Sequence, residues 1–467
     1  MKSLKKCSVL LLFALTFSMI QLFAEEETNI QLQRYSDRVL VLRFGKVLFD
    51  QVIAIKSTKG LVVIDTGESP EMAQKYRAII EREFGRNDFV YVINTHFHFE
   101  HIGGNQIFSE ATIISHDRTP ENMRQFGEGK ENFLRQRQQT LTFFENQLKN
   151  LDPTSRQALQ TADFQTMFQA SVDAVQGDFV LTLPTVTFND RLTLDMGDLK
   201  LRLIFFGAGR HSNDDIIIYC PEEKLLMTES LFNANSMQLV NSPQFDASRW
   251  IEVLNEVLHQ DNKIETVLDT HNGGLTPAFL YLWRDYFVDL WQSLNKAKEK
   301  GLDYARIQDQ FAYAKKFTYI EKSGIDPQQL QQQHTNSLRF MWYNLNNTHS
   351  AANILRDVIN KDGIAAAQKN YKSMLPARDN KYYFNENEFN NLGYVLLQNQ
   401  KIKEAIEIFK MNVELFPDSW NVYDSLGEGY MNDGQNELAI KNYKKSIELN
   451  PQNNNGIEFL KRLEGAK

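Results

Sequence analysis

Three histidines and a glutamate fall within six residues of one another in the run INTHFHFEHIGGN: His96, His98, Glu100 and His101. In an extended segment successive side chains alternate, so His96, His98 and Glu100 would point to one side. Imidazole nitrogen and carboxylate oxygen at this spacing suit a borderline divalent metal such as zinc. One histidine here would read as part of a polar loop; three with an acid between them, directly after a buried-type strand, do not. No glycine-rich phosphate loop stands out. Ser230 sits in ESL without flanking glycines, so it does not form a nucleophilic serine elbow.

The elements that must carry these residues follow from the pattern on either side. VLVLRF, VIAI and LVVID are β-branched runs punctuated by Gly45, Gly60 and Gly67, which predicts strands between Ile30 and Thr66. Glu71 to Phe84 has apolar residues at helical spacing, with Pro70 near its start. Val90 to Asn94 is a further strand, and alternation of this kind predicts layered sheet and helix. Residues 121–177 are rich in Gln, Glu, Arg and Phe and predict two or three amphipathic helices inserted into the sheet domain. Strands resume at 179–188, 192–194, 199–206 and 216–219, and residues 277–346 read as helical. The phenylalanines of the insert (Phe126, Phe133, Phe143, Phe144, Phe164 and Phe168) either pack its helices together or cover the histidines as a lid.

The 467 residues predict two to four domains. A hydrophobic share of 42% rules out wholesale disorder, and a formal charge of −8 argues against a nucleic-acid partner. The amino terminus has a positive head (Lys2, Lys5, Lys6), an uncharged apolar run from Ser8 to Phe23, and Ala24 before three glutamates. That is the plan of a secretory signal peptide cleaved after Ala24. The run is short for a span, which needs about 20 apolar residues. The expected location is periplasmic or secreted, with no stable membrane span after cleavage. Cys220 would then be the sole cysteine, leaving no internal disulfide.

Near the carboxy terminus Leu392-Gly393, Ala405, Phe409 and Pro417 recur as Leu426-Gly427, Ala439, Tyr443 and Pro451, each at an offset of 34 residues. This segment resembles the tetratricopeptide repeat in period and residue pattern. Two repeats alone rarely make a stable stack, and Ile364 to Leu375 reads as a degenerate helix beneath the first of them. The resemblance implies a protein partner or self-association.

The histidine run resembles the first motif, HxHxDH, of the metallo-β-lactamase superfamily of hydrolases. Later motifs match in order: GAGRHSNDD supplies His211, LLMTESLFN sits at a family strand end, VLDTHNGG supplies His271, and Asp65-Thr66-Gly67 matches the early DTG turn. The likeness covers about residues 30–275. It implies an α/β fold, a four-layer αββα sandwich with a helical insert, followed by an all-α repeat region. The implied domains are a signal peptide at 1–24, a sandwich domain at 25–280 with its insert at 121–177, a helical connection at 281–385 and two repeats at 386–455.

By the family pattern one zinc ion is held by His96, His98 and His211, and a second by Glu100, His101 and His271. A three-histidine site leaves an open position for water, whose pKa the metal lowers to about 7. Glu100 takes the family aspartate's role of orienting that water or carrying a proton. Asp65 and Asp215 read as carboxylates that hold histidines or turns in place, and His116 as structural. His259, His334 and His349 read as surface or core residues. Two departures stand out: Glu100 replaces the aspartate, and Ser230 replaces the usual second acid, with Glu229 beside it. The expected activity is hydrolysis of an ester, lactam, lactone or similar bond in a small-molecule substrate, using one or two zinc ions. Two other readings exist: a weakly catalytic metal-binding scaffold acting through its repeats, and a one-iron redox enzyme.

Overall fold

The computed structural model describes residues 23–24, 30–47, 50–128, 130–207, 212–229, 231–232, 245–259, 261–269 and 275–465. The chain divides into two compact units. One takes residues up to 238 with 252–282; the other takes 239–251 with 283 onward.

In the first unit eight strands lie side by side in chain order. They are β1 (Phe23–Ala24), β2 (Ile30–Arg34), β3 (Val39–Phe44), β4 (Asp50–Ser57), β5 (Gly60–Ile64), β6 (Phe89–Ile93), β7 (Thr112–His116) and β8 (Val186–Phe188). Neighbours are antiparallel as far as β5 and parallel from β5 to β8. Parallel neighbours need crossovers. Helix α1 (Pro70–Phe84) joins β5 to β6, and the short α2 (Phe99–Ile102) lies between β6 and β7. Three helices separate β7 from β8: α3 (Thr119–Glu128), α4 (Lys130–Leu148) and α5 (Arg156–Gln176). These are the helices expected of the insert.

A second sheet has the order β13-β12-β11-β10-β9. Its strands are β9 (Arg191–Asp195), β10 (Lys200–Phe205), β11 (Ile216–Cys220), β12 (Leu225–Glu229) and β13 (Thr266–Asp269). Its neighbours are antiparallel except β12 and β13, which are parallel, with α6 (Ala247–Val257) between them in the chain.

The period-two pattern decides which face goes where. Val39, Val41, Ile53, Ile55, Val62 and Ile64 turn toward Leu201, Leu203, Ile216, Ile218 and Met227, forming the core between the sheets. Alternate residues Leu40, Leu42, Val52, Ala54, Leu61 and Val63 pack on Met72, Tyr76, Ile79 and Ile80 of α1. Each such side chain contributes about 1.5–3 kcal/mol when fully buried. Helix α6 is tied to β9 by Arg191, whose Nη2 lies 2.9 Å from Glu252 and 2.6 Å from Glu256. The mixed α/β fold is the one the sequence implies.

One expected strand is shorter than its pattern. Of residues 179–188 only Val186–Phe188 pairs in the sheet. Phe179 N–H bonds to Ala174 O at 3.2 Å and Val180 N–H to the Gln106 side chain at 2.6 Å, while Pro184 has no N–H to give. A helix cap and a side chain take the first two donors, and the Thr185 N–H is the first to reach β7, at Ile113 O, 2.8 Å.

The second unit is helical. Helix α7 (Pro277–Glu299) leads into α8 (Tyr304–Gln310), α9 (Tyr313–Lys316) and α10 (Pro327–Leu345). His334 is a core residue there, between Tyr286 Oη (2.9 Å) and Phe311 O (2.8 Å). Then come α11 (Ala351–Asp362), α12 (Ile364–Met374), α13 (Glu386–Gln398), α14 (Ile402–Leu415), α15 (Trp420–Asn432), α16 (Asn436–Leu449) and α17 (Asn454–Gly465). One apolar cluster runs from Ala351 to Leu463. The lone degenerate helix of the sequence reading is thus half of a hairpin, α11 with α12. It adds a third pair to the two repeats, the number at which such stacks become stable.

The repeated glycine has a steric reason. A Cβ at Gly393 would lie 2.2 Å from the Phe409 ring, and one at Gly427 would lie 3.1 Å from the Tyr443 ring. Both partners sit 16 residues on. Gly393→Ala should therefore destabilise the helical unit by about 1–3 kcal/mol, the cost typical of overpacking. Gly427→Ala should cost less. Urea unfolding of the full chain checks the order, and equal or reversed losses would contradict this packing.

Candidate active site

The histidine motif leaves the end of β6 but is not extended. Thr95 to Phe97 form a bend, His98 stands at the N-cap of α2, and Glu100 and His101 lie in its single turn. Strand alternation therefore does not align the side chains; the bend and the helical turn bring them together. The His96 ring centroid is 4.6 Å from that of His98 and 4.1 Å from that of His101. His98 Nδ1 lies 3.8 Å from Glu100 Oε1. His96 and His101 are fully buried, while His98 and Glu100 keep partial access to solvent.

Asp65 organises the floor of this cluster. It follows β5 in a left-handed conformation, φ 57°, which few residues but Asn, Asp and Gly adopt readily. Its Oδ1 accepts the Thr95 N–H at 2.9 Å, and its Oδ2 accepts the Thr95 hydroxyl at 2.7 Å. His101 Nδ1 faces the same Oδ2 at 2.8 Å. A carboxylate there accepts a hydrogen bond from Nδ1–H, which keeps the proton on Nδ1 and leaves Nε2 as the nitrogen with the lone pair. Backbone bonds complete the frame: Thr66 N–H to His101 O at 3.0 Å and Ile216 N–H to Thr95 O at 3.0 Å. The Asn94 and Asn105 side chains bond each other reciprocally at 3.0 and 2.9 Å. Gly103 and Gly104 let the two turns meet, since a Cβ on either would come within 2.6 Å of the backbone at Glu68 or Thr66.

The remaining expected residues divide plainly. The Asp215 carboxylate accepts Ser212 N–H at 2.9 Å in the turn before β11. His116 is structural, with Nε2 on Asn189 O at 2.9 Å and its ring stacked on Phe205 at 4.0 Å. His211, Ser230 and His271 lie outside the described residues. Among the described residues no group of three or more His, Cys, Asp or Glu forms a set able to hold a metal. His96, His98, Glu100 and His101 have the donor chemistry that suits zinc; the family's full sets draw on His211 and His271 as well.

Three groups near the motif were not singled out from the sequence. Glu68 is completely buried, and neither carboxylate oxygen has a hydrogen-bond partner among the described residues. Arg137 of α4 reaches it, with Nη1 3.7 Å from Glu68 Oε1, while Nη2 stands 3.7 Å from Glu100 Oε2. Asp214, also buried, lies near His98. The insert is thus in contact with the motif. Phe133 packs on Phe99 at 5.1 Å, and the Arg137 guanidinium lies 3.9 Å from the Phe168 ring centre. No signal local to Arg137, one of several arginines in a polar helix, distinguishes it in the sequence.

Electrostatics follow from this crowding. Burial lowers the His98 pKa, against the pull of Glu100, and favours the neutral imidazole that binds metals. Burial works to raise the Glu100 pKa, but His101, His98 and Arg137 outweigh it and hold the carboxyl at about 2. Glu68 goes the other way: burial, only partly opposed by Arg137, pushes it from 4.5 to about 8. Burial also raises Asp214.

Residues 46–271 match the family model of the metallo-beta-lactamase superfamily, and residues 421–453 match a tetratricopeptide repeat. The chain is 23% identical over 275 residues to the alpha subunit of 2,4-dinitroanisole O-demethylase from Nocardioides sp. (strain JS1661), covering 58% of this chain and 65% of that one. It is 24% identical over 198 residues to linear primary-alkylsulfatase from Pseudomonas sp. (strain ATCC 19151), covering 40% and 34%. It thus spans less than two thirds of either relative. Among solved structures it is similar to a metallo-beta-lactamase from Pontibacter korlensis, with TM-score 0.37 and 15% identity over 54% of this chain and 95% of that one. It is also similar to a stereoselective inverting sec-alkylsulfatase from Pseudomonas sp., with TM-score 0.45 and 14% identity over 90% and 65%.

The Glu68 carboxyl gives a test of the geometry. Folded, it keeps its proton at pH values where the unfolded chain has released it. The stability it contributes is full below 4.5 and is lost as pH rises toward about 8. Glu68→Gln should therefore reduce the fall in unfolding free energy between about pH 5 and pH 8. Denaturant titrations at both pH values check this, and an unchanged pH slope would contradict it.

Proposed function

We propose that the chain, which carries a metallo-β-lactamase superfamily domain over residues 46–271, is an exported zinc-dependent hydrolase. The observation that carries this reading is the convergence of the His96, His98 and His101 rings, with Asp65 fixing the orientation of His101. His96 and His98, with His211, are assigned to one zinc ion; Glu100 and His101, with His271, to a second. Neutral imidazoles and an ionised carboxylate are the ligand states that such ions require. When bound, zinc supplies Lewis acidity and lowers the pKa of water to about 7.

The protein's own groups do the rest. Asp65 holds the His101 ring by Nδ1 and thereby sets its tautomer. Glu100 is ionised and partly open to solvent, so its carboxylate is placed to accept a proton from the attacking water and pass it on. Phe133 of the insert, seated on Phe99, places an apolar ring beside the motif.

The bond cleaved is of the ester, lactam or lactone type, or a similar bond between carbon and a heteroatom. The names of the two curated relatives place an alkyl sulfate and an aryl methyl ether first among substrates to try. The repeats would bind a protein or a second copy of the chain, as tetratricopeptide repeats do. Export rests on the signal-like residues 1–24, of which all but Phe23 and Ala24 lie outside the described set. No described helix is long and apolar enough to cross a membrane.

The test joins metal stoichiometry to a substrate panel of alkyl sulfate, aryl methyl ether, lactam, lactone, thioester and phosphodiester. His98→Ala should remove most of the metal and reduce hydrolysis to background. Glu100→Asp should retain metal. Full activity in His98→Ala would refute the site. A zinc-loaded protein inert on every class, with His96→Ala silent in cells, would favour a scaffold acting through the repeats.

A further inference from the structure

The insert does more than lie near the motif, because one of its cations is clamped between two acids and two aromatic rings. Arg137 spans Glu68 on one side and Glu100 on the other, both at 3.7 Å. Its guanidinium lies over Phe168, at 3.9 Å from the ring centre, and over Phe133, at 4.9 Å. Phe133 in turn rests on Phe99, the residue before Glu100. The site is almost closed, with Arg137 only 13% exposed and Glu68 fully buried. An ion buried to this degree costs several kcal/mol unless it is paired. The ionised partner of Arg137 is Glu100, and the buried Glu68 carboxyl, whose oxygens accept no hydrogen bond among the described residues, stands at its other end.

We propose that Arg137 is a positioning residue for Glu100: docking of the α4–α5 insert fixes where the Glu100 carboxylate stands relative to the histidines. This rests on the metal-centre reading above. The reason for an arginine is geometric. Glu100 is one methylene longer than the aspartate of the family pattern, so it has an extra rotatable bond and needs an external constraint. A planar fork can address two carboxylates at once while stacking on aromatic faces; an ammonium cannot do both. Glu68 sets the far end of the fork from the turn after β5, the strand end that also carries Asp65. The insert, the β5 turn and the histidine motif thereby share one electrostatic tie, and a shift of α4 is transmitted to Glu100.

The decisive measurements are zinc affinity, by chelator competition, and the visible absorption of the cobalt-loaded full-length chain, for wild type, Arg137→Met and Arg137→Lys. Removing a group that orients a ligand costs 10–100-fold in metal affinity. Arg137→Met is expected to fall in that range with an altered cobalt spectrum. Arg137→Lys, which keeps the charge and the stem but not the fork, is expected to weaken zinc severalfold. Variants within twofold of wild type and with its spectrum would overturn the proposal. If the Arg137 variants do not fold, Glu68→Met decides: it removes the polar group at the far end of the fork without touching Glu100 and should also shift the spectrum, and an identical spectrum overturns the proposal. A wild type that binds no metal would sink the metal-centre reading and this inference with it. A wild type that binds metal but hydrolyses nothing would sink the hydrolase reading alone, and the affinity comparison would still decide the role of Arg137.

Discussion

A single buried carboxylate holds the candidate site in place. Asp65 satisfies a backbone N–H, a hydroxyl and an imidazole within 2.9 Å, and so joins the end of β5 to the bend after β6. Taking that charge out of water is costly, and three hydrogen bonds offset the cost. The left-handed backbone at Asp65 aims the side chain away from the strand direction and across to the neighbouring strand end. Without this bridge the His101 ring would lack both its orientation and its tautomer, and Thr95 would lose the partner of its N–H. The parallel pairing of β5 with β6 puts the two strand ends side by side, which is why one short side chain suffices.

Charge around the motif is distributed unevenly. Glu100, partly open to solvent and surrounded by cationic and imidazole groups, is held ionised. Glu68, a few ångströms away behind the same arginine, is sealed from solvent and favours its neutral form up to about pH 8. Burial raises Glu68, while His101, His98 and Arg137 hold Glu100 low against its own burial, so two carboxyls of the same chemistry are pushed apart. The insert supplies the cation that separates them. Its phenylalanines pack the helices together, and Phe133 also packs on Phe99 beside the motif.

The helical unit obeys a simpler rule. A small residue in one helix of a pair admits an aromatic from the other, and the arrangement repeats with the period of the sequence. The pair α11–α12 lacks the full residue pattern yet joins the same apolar cluster. A stack needs an end that covers its first hydrophobic face, and a terminal hairpin under weaker sequence constraint serves that purpose.

Much of this was legible along the chain. Period-two strands, the α1 pattern, the insert and the 34-residue repeat are local signals, because each records which face of one element is apolar. The motif histidines were legible as well, since their types and spacing survive any backbone path. Their geometry was not: the chain bends at Thr95 and turns helical at Phe99, so strand alternation does not bring the rings together. The roles of Glu68 and Arg137 were equally hidden. They lie 69 residues apart, and nothing in either neighbourhood marks one as the other's partner. Chemistry, spacing and periodicity belong to the sequence because they are properties of short segments. Which charges become neighbours, and which of them lose contact with water, was decided only when distant segments packed together.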